Sequence, residues 1–127
     1  MPMKADPVLT AVLVVDDDRD AADTTAHLIA SAGHDVRAAY TCTDALILAG
    51  AFRPDVLVLD LRLPDGDGYG LAARLERVLG YHPVVIAVTG SDGLEARSRV
   101  AGFDHHFLKP VAPDVLLAGV AQAARGN

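Results

Sequence analysis

The chain has 127 residues, of which 17 are acidic and 11 basic, for a net charge of −6. That length leaves room for one domain, read here as residues 1–127 with a core from about 10 to 125. With 51% hydrophobic and 22% charged residues it excludes a disordered chain, and no run of ~18 apolar residues offers a membrane span.

Met1–Pro7 has Lys4 and Asp6 but no apolar stretch of the kind a signal peptide needs. Thr10–Val15 (TAVLVV) is then a near-continuous β-branched run that suits a strand buried on both faces. Asp18–Ala32 has helical spacing and stops at Gly33. Asp35–Tyr40 (DVRAAY) reads as a weaker strand near an edge. Thr41 or Thr43 caps a helix over Asp44–Phe52, which Pro54 stops. Asp55–Asp60 (DVLVLD) is the second strong apolar run. Pro64-Asp65-Gly66 reads as a turn, and Gly68–Leu79 as a helix closed by Gly80. Pro83–Thr89 (PVVIAVT) is the third strong run. Ser91 or Asp92 caps a helix running to Ala101, His105–Leu108 is a short edge strand, and Pro113 opens a last helix to about Arg125.

Strands alternating with helices imply right-handed crossovers and a parallel sheet covered on both faces. The expected fold is α/β and flavodoxin-like: a doubly wound five-stranded parallel sheet of order 2-1-3-4-5 with five helices. In such sheets ligands bind beyond the carboxyl ends of the strands, at the switch between strands one and three.

That rule gathers a particular set of residues. The first strand is followed by Asp16, Asp17 and Asp18, the third ends at Asp60, the fourth at Thr89-Gly90 and the fifth at Lys109-Pro110. Carboxylates a few ångström apart repel one another, and a hard cation such as Mg²⁺, which takes oxygen ligands, relieves them. Lys109 adds positive charge for an incoming anion, and Thr89 adds a hydroxyl for a phosphoryl oxygen. A carboxylate held beside a metal and a lysine can accept a phosphoryl group, because that chemistry is mostly positioning and charge neutralisation.

With these residues in place the chain resembles a response-regulator receiver domain of two-component signalling. The resemblance is carried by VLVVDDD at Val12–Asp18, PDVLVLDLRLPDGDG at Pro54–Gly68, VIAVTG at Val85–Gly90 and AGFDHHFLKPV at Ala101–Val111. It implies that Asp60 is the phosphoacceptor, and that Asp17 and Asp60 are direct Mg²⁺ ligands, with Asp16 acting mainly through a metal-bound water. It further implies that the backbone carbonyl of Arg62 supplies another metal oxygen, and that the backbone N–H groups of Arg62 and Gly90 hold phosphoryl oxygens. Thr89 takes the place of the family's switch hydroxyl, Lys109 contacts the acceptor, and Lys109–Pro110 is a cis peptide. Asp18 caps the first helix. His106 stands where the family often has an aromatic residue that rotates inward on activation, and Gly90 where alanine is frequent.

The function so implied is a cytoplasmic signalling domain rather than an enzyme. It takes a phosphoryl group from a phosphohistidine on a sensor histidine kinase or histidine phosphotransfer protein, and it catalyses its own phosphorylation and dephosphorylation with Mg²⁺. It then switches partner interactions through the face of its fourth helix, fifth strand and fifth helix. The last helix is apolar on more than one stripe, which suits a homodimer or an output partner. The alternative is a receiver fold used as an interaction module without phosphorylation. A phosphohydrolase would want an acid two residues after the nucleophile, where Arg62 stands.

Other signals are set aside. The acidic balance without a basic run excludes a nucleic-acid surface, and a single cysteine, Cys42, leaves no intramolecular disulfide and fits a reducing compartment. Asp65, Asp67 and Glu76 imitate parts of a calcium loop, but Tyr69 occupies a ligand position. His105 and His106 are adjacent on a strand and point to opposite faces, so they cannot chelate together. No P-loop or G-x-G-x-x-G motif occurs.

Overall fold

In the computed structural model the described residues are 10–90 and 95–126. The readings made of Met1–Pro7 and of Ser91 or Asp92 as a cap lie outside them.

The elements follow in the order β1 (Ala11–Val15), α1 (Arg19–Ser31), β2 (Asp35–Ala39), α2 (Cys42–Phe52), β3 (Val56–Asp60), β4 (Arg62–Leu63), β5 (Gly66–Asp67), α3 (Gly68–Leu79), β6 (Val84–Thr89), α4 (Glu95–Val100), β7 (His105–Leu108) and α5 (Pro113–Gly126). Five strands form one sheet in the order β2-β1-β3-β6-β7 with every pairing parallel. Counted along the main sheet alone, this is the expected order 2-1-3-4-5. The two-residue strands β4 and β5 lie outside it as a small antiparallel hairpin, Arg62 opposite Asp67 and Leu63 opposite Gly66. The sequence predicts only a turn at Pro64-Asp65-Gly66, because two-residue strands are too short to show a period.

The continuous apolar runs divide between the two faces with the strand period of two. Leu13, Val15, Leu57, Leu59 and Val85 pack with Ala45 and Ala49 of α2 and Leu71, Leu75 and Leu79 of α3. Val12, Val14, Val56, Val58, Ile86 and Val88 face the other way, against Ala22 and Ile29 of α1 and Leu116, Val120 and Ala123 of α5. Fully buried leucines such as Leu13, Leu57 and Leu59 each contribute roughly 2 kcal/mol from burial alone. Gly119 lets α5 close on the sheet: a Cβ there would stand 3.2 Å from the Phe107 ring.

Three helix starts are capped by side chains, of which the sequence reading names Asp18 and Thr41 but not Asp67. Asp18 accepts from the Ala21 N–H, Thr41 from Asp44 and Asp67 from Gly70. Thr41, not Thr43, is therefore the cap of α2, and the helix begins two residues earlier than expected, at Cys42. It ends at Arg53, which takes the left-handed conformation (φ 54°) and is tied by its guanidinium to the Leu79 carbonyl at 2.8 Å. No helix among the described residues is long and apolar enough to cross a membrane.

One core-edge contact gives a pH prediction. His34 is buried, its Nδ1 accepts the Thr10 N–H at 3.3 Å, and burial pushes its pKa down. A folded-state pKa below the unfolded value of about 6.5 adds stability above that pH, lost as pH falls through it. The urea midpoint is expected to drop on going from about pH 7.5 to about pH 5.5. His34→Asn, which keeps an acceptor but cannot be protonated, should flatten that part of the curve. An equal drop in both proteins would remove His34 from the explanation.

Candidate functional site

The parallel register brings the carboxyl ends of the strands level with one another. Val15 pairs with Leu59 and Asp60 with Val88, so the residues that leave β1, β3 and β6 emerge along one edge. Asp16, Asp17 and Asp60 each present a carboxylate oxygen there, all within 4.8 Å of one another. Asp16 is buried, Asp60 is half-buried and Asp17 is exposed. Lys109 reaches in from the end of β7, with Nζ 2.8 Å from Asp16 Oδ2 and 3.3 Å from Asp60 Oδ2. The Lys109–Pro110 peptide bond is cis, and the Lys109 N–H donates to the Thr89 carbonyl at 2.7 Å. Lys109 thus sits nearer to Asp16 than to Asp60.

The chain also shapes the carboxylates through its backbone. The Asp18 N–H donates to Asp16 Oδ1 at 3.0 Å, and the Arg62 N–H donates to Asp60 Oδ1 at 3.0 Å. Burial raises the Asp60 pKa from its ordinary value, with Asp16 adding to the push; the Arg62 N–H and Lys109 oppose it. Burial pulls the Lys109 pKa down, but the hydrogen bond to Asp16 and the charges of both carboxylates outweigh it, so the net shift is upward. The arrangement is one of excess negative charge, partly answered by one lysine.

Thr89 is fully buried at the end of β6 and lines, with Asp17, Asp60, Arg62, Gly90 and Lys109, an open cleft of about 410 Å³. A second groove of about 640 Å³, mostly apolar, runs from Asp16, Asp60 and Lys109 along Thr24, Thr25 and Leu28 of α1 to Val111, Pro113 and Leu116.

The backbone directly after Asp60 turns out of the sheet beneath Gly68. The Gly68 N–H donates to the Leu61 carbonyl at 3.1 Å, and a Cβ at Gly68 would stand 2.8 Å from the Asp60 carbonyl oxygen. No side chain fits there without moving the strand end.

His106 is half-buried, and its Nδ1 is 2.7 Å from Ser98 Oγ, which is in turn 3.1 Å from the Tyr69 hydroxyl. This chain of polar groups links β7, α4 and the first turn of α3. Sequence reasoning had no signal for it, because the three residues are far apart in the chain. His105, its neighbour, stacks on Phe107 instead, with ring centroids 5.6 Å apart. Cys42 is buried at the first position of α2, where burial pushes its thiol up to about 11.

Comparison with known proteins decides the family. Residues 12–121 match the family described as response regulator receiver domain. The chain belongs to that family. It is 34% identical over 109 residues to the response regulator MprA of Mycobacterium avium, a match covering 84% of this chain and 47% of MprA. It is 30% identical over 112 residues to the protein PilG of Pseudomonas aeruginosa, covering 86% of this chain and 83% of PilG. The chain thus spans about half the length of the MprA relatives it matches. A CheY-like receiver domain protein from Methanospirillum hungatei superposes with a TM-score of 0.84 at 29% identity, over 93% of this chain and 95% of that one. Receiver domains are signalling domains that interact with histidine kinases or phosphotransfer proteins, and they bind Mg²⁺ at an acidic pocket. The donor set of this receiver domain, three carboxylates and no softer ligand, has the hard-oxygen chemistry that Mg²⁺ prefers.

Proposed function

We propose that this receiver domain accepts a phosphoryl group on Asp60. The observation that carries the reading is the meeting of Asp16, Asp17 and Asp60 within 4.8 Å, with Lys109 bound to two of them. An Asp60 oxygen attacks the phosphorus of a phosphohistidine; the O–P bond forms, the N–P bond breaks, and the histidine leaves with its electron pair. Lys109 neutralises charge on the transferring group, while the Thr89 hydroxyl and the N–H groups of Arg62 and Gly90 hold its oxygens. Asp17, Asp60 and the Arg62 carbonyl would hold Mg²⁺, with Asp16 acting through water. The metal supplies further charge neutralisation on the phosphoryl oxygens. The same groups serve the later hydrolysis of the acyl phosphate.

The donor is a sensor histidine kinase or a histidine phosphotransfer protein in the cytoplasm. We place it on the apolar groove along α1, which is continuous with the carboxylates. Output runs through α4, β7 and α5, where Leu108 and Val115 are 44% exposed. Thr89 and His106 are the switching residues, and the contact of His106 with Ser98 gives its movement a route into α4. In this reading residues 1–127 act as one receiver unit.

Intact mass after incubation with acetyl phosphate and Mg²⁺ tests the chemistry. Wild type should gain one phosphoryl group, lost on chelation of Mg²⁺, and Asp60→Asn should gain none while keeping the fold. A phosphoryl group on Asp60→Asn would move the acceptor elsewhere. No addition to wild type, with partner binding that survives Asp60→Asn, would favour the interaction module.

A further inference from the structure

The turn at Pro64-Asp65-Gly66 does more than reverse the chain. A helix start leaves its first N–H groups without partners inside the helix. In α2, the Thr41 side chain takes the Asp44 N–H and its carbonyl the Ala45 N–H. The Cys42 and Thr43 N–H groups donate instead to Asp65, 23 and 22 residues further on, at 2.8 and 3.2 Å. The Thr43 hydroxyl donates to the same carboxylate at 3.1 Å. A carboxylate at a helix N-terminus is also favoured by the helix dipole. The Cys42 N–H, followed by the Thr43 N–H, holds the Asp65 pKa at about 2, although burial opposes them.

Asp65 is on the loop of the β4–β5 hairpin, and the opposite arm of that hairpin carries Arg62, whose N–H donates to Asp60 Oδ1. A hairpin of two residue pairs is marginal by itself. Its base is closed by the Gly68 N–H on the Leu61 carbonyl and by the Asp67 cap of α3, Leu63 is buried in the core cluster shared with α2 and α3, and only Asp65 ties its loop to α2 among the described residues. We propose that Asp65 is a positioning residue for the acceptor site, fastening the hairpin to α2 so that the Arg62 backbone stays aimed at Asp60. This rests on Asp60 being the acceptor. Asp65 touches neither the phosphoryl group nor the metal in that reading; it acts through Arg62.

The hairpin also covers Cys42. A Cβ on Gly66 would stand 3.2 Å from Cys42 Sγ, and Cys42 is 3% exposed. It is the chain's single cysteine, so its reactivity reports hairpin closure directly. Binding at the acceptor and closure of the hairpin must then favour each other reciprocally.

The experiment compares wild type, Asp65→Ala and Asp65→Asn. It follows the rate of Cys42 reaction with a disulfide reagent, with and without Mg²⁺ and beryllofluoride, and phosphoryl incorporation from acetyl phosphate. Circular dichroism checks that each variant melts cooperatively. Asp65→Ala should expose Cys42 about tenfold faster and slow phosphoryl incorporation about tenfold, as loss of charge-assisted hydrogen bonds predicts. Beryllofluoride with Mg²⁺ should protect Cys42 strongly in wild type and weakly in Asp65→Ala. Asp65→Asn keeps one acceptor oxygen but turns N–H groups toward Thr43, so it should fall between. An unchanged Cys42 rate in Asp65→Ala, or an exposed Cys42 with wild-type incorporation and Mg²⁺ dependence, overturns the role of Asp65. Wild type that takes no phosphoryl group overturns the acceptor reading and this role with it, which separates the two failures.

Discussion

Lys109→Met lowers the free energy of unfolding by about 2 kcal/mol in the presence of a chelator, and added Mg²⁺ returns more stability to the variant than to wild type. The reason is the charge at the sheet edge. Removing Lys109 leaves Asp16 and Asp60 facing each other with side chains only 10% and 11% exposed and no cation between them. Breaking a fully buried pair costs about 3–5 kcal/mol. The Lys109 side chain is 33% exposed, so water screens part of the loss and the smaller figure applies. Methionine keeps most of the stem, which isolates the charge from the packing. A cation at ten times its dissociation constant restores about 1.4 kcal/mol. The variant's two uncompensated carboxylates should bind it more tightly than wild type does. Phosphoryl incorporation should fall roughly 100-fold, because one preorganised positive group is gone. Urea melts in chelator and in Mg²⁺ decide the matter: equal Mg²⁺ responses in the two proteins would mean that Lys109 does not neutralise this pair.

Gly68→Ala has a comparable effect by a different route. The added methyl meets backbone, the Asp60 carbonyl oxygen at 2.8 Å and the Leu61 Cα at 3.0 Å, as well as a Leu61 methyl at 2.9 Å. A side-chain end could swing aside, but the end of β3 cannot move without breaking its register with β6. Overpacking of this kind costs about 1–3 kcal/mol, and the upper half of that range applies here. The displaced atoms belong to the acceptor residue, so phosphoryl incorporation should fall more than stability does. Gly90→Ala is the matched control. A Cβ at Gly90 meets nothing within 4 Å, so its stability should stay within about 0.5 kcal/mol of wild type. Thermal melts and intact mass on the two variants test the contrast; a Gly68→Ala protein as stable and as readily phosphorylated as wild type would refute it.

The parts of the molecule legible in the sequence were those set by neighbours along the chain. The runs at Val12, Leu57 and Val85 announced buried parallel strands; Asp16 follows the first of them, Asp60 and Thr89 end the other two, and Lys109 follows the short last strand, so one topological rule gathered all four. The caps Asp18 and Thr41 lie within three residues of the N–H groups they accept from, whereas Asp67, which caps α3, stands out in the sequence only as part of a calcium-loop imitation. The rest depended on contacts between distant segments. Asp65 looked like a turn residue because the helix start it serves lies 23 residues away. His106 looked like an edge-strand residue because Ser98 and Tyr69 approach it only after α3, α4 and β7 have packed. The start of α2 was open between Thr41 and Thr43, since both are good caps and the choice is made by the fold around them.

Among the described residues the strand order leaves β2 and β7 with one unpaired side each, and such edges invite pairing between molecules. Both are poor templates. β2 is five residues long and carries Asp35 and Arg37, bound to each other at 2.8 Å, with both side chains more than half exposed. β7 is only four residues long and starts with two histidines. A second copy adding to β2 would have to lay a strand against a fixed pair of opposite charges, and one adding to β7 would gain too few backbone bonds to hold. The β-branched runs that would propagate an aggregate, Val12–Val15, Val56–Leu59 and Val84–Val88, lie on the three inner strands, paired on both sides. The sheet therefore guards its most adhesive segments by their place in the order, and resistance to fibril growth follows from the same topology that assembles the carboxylates.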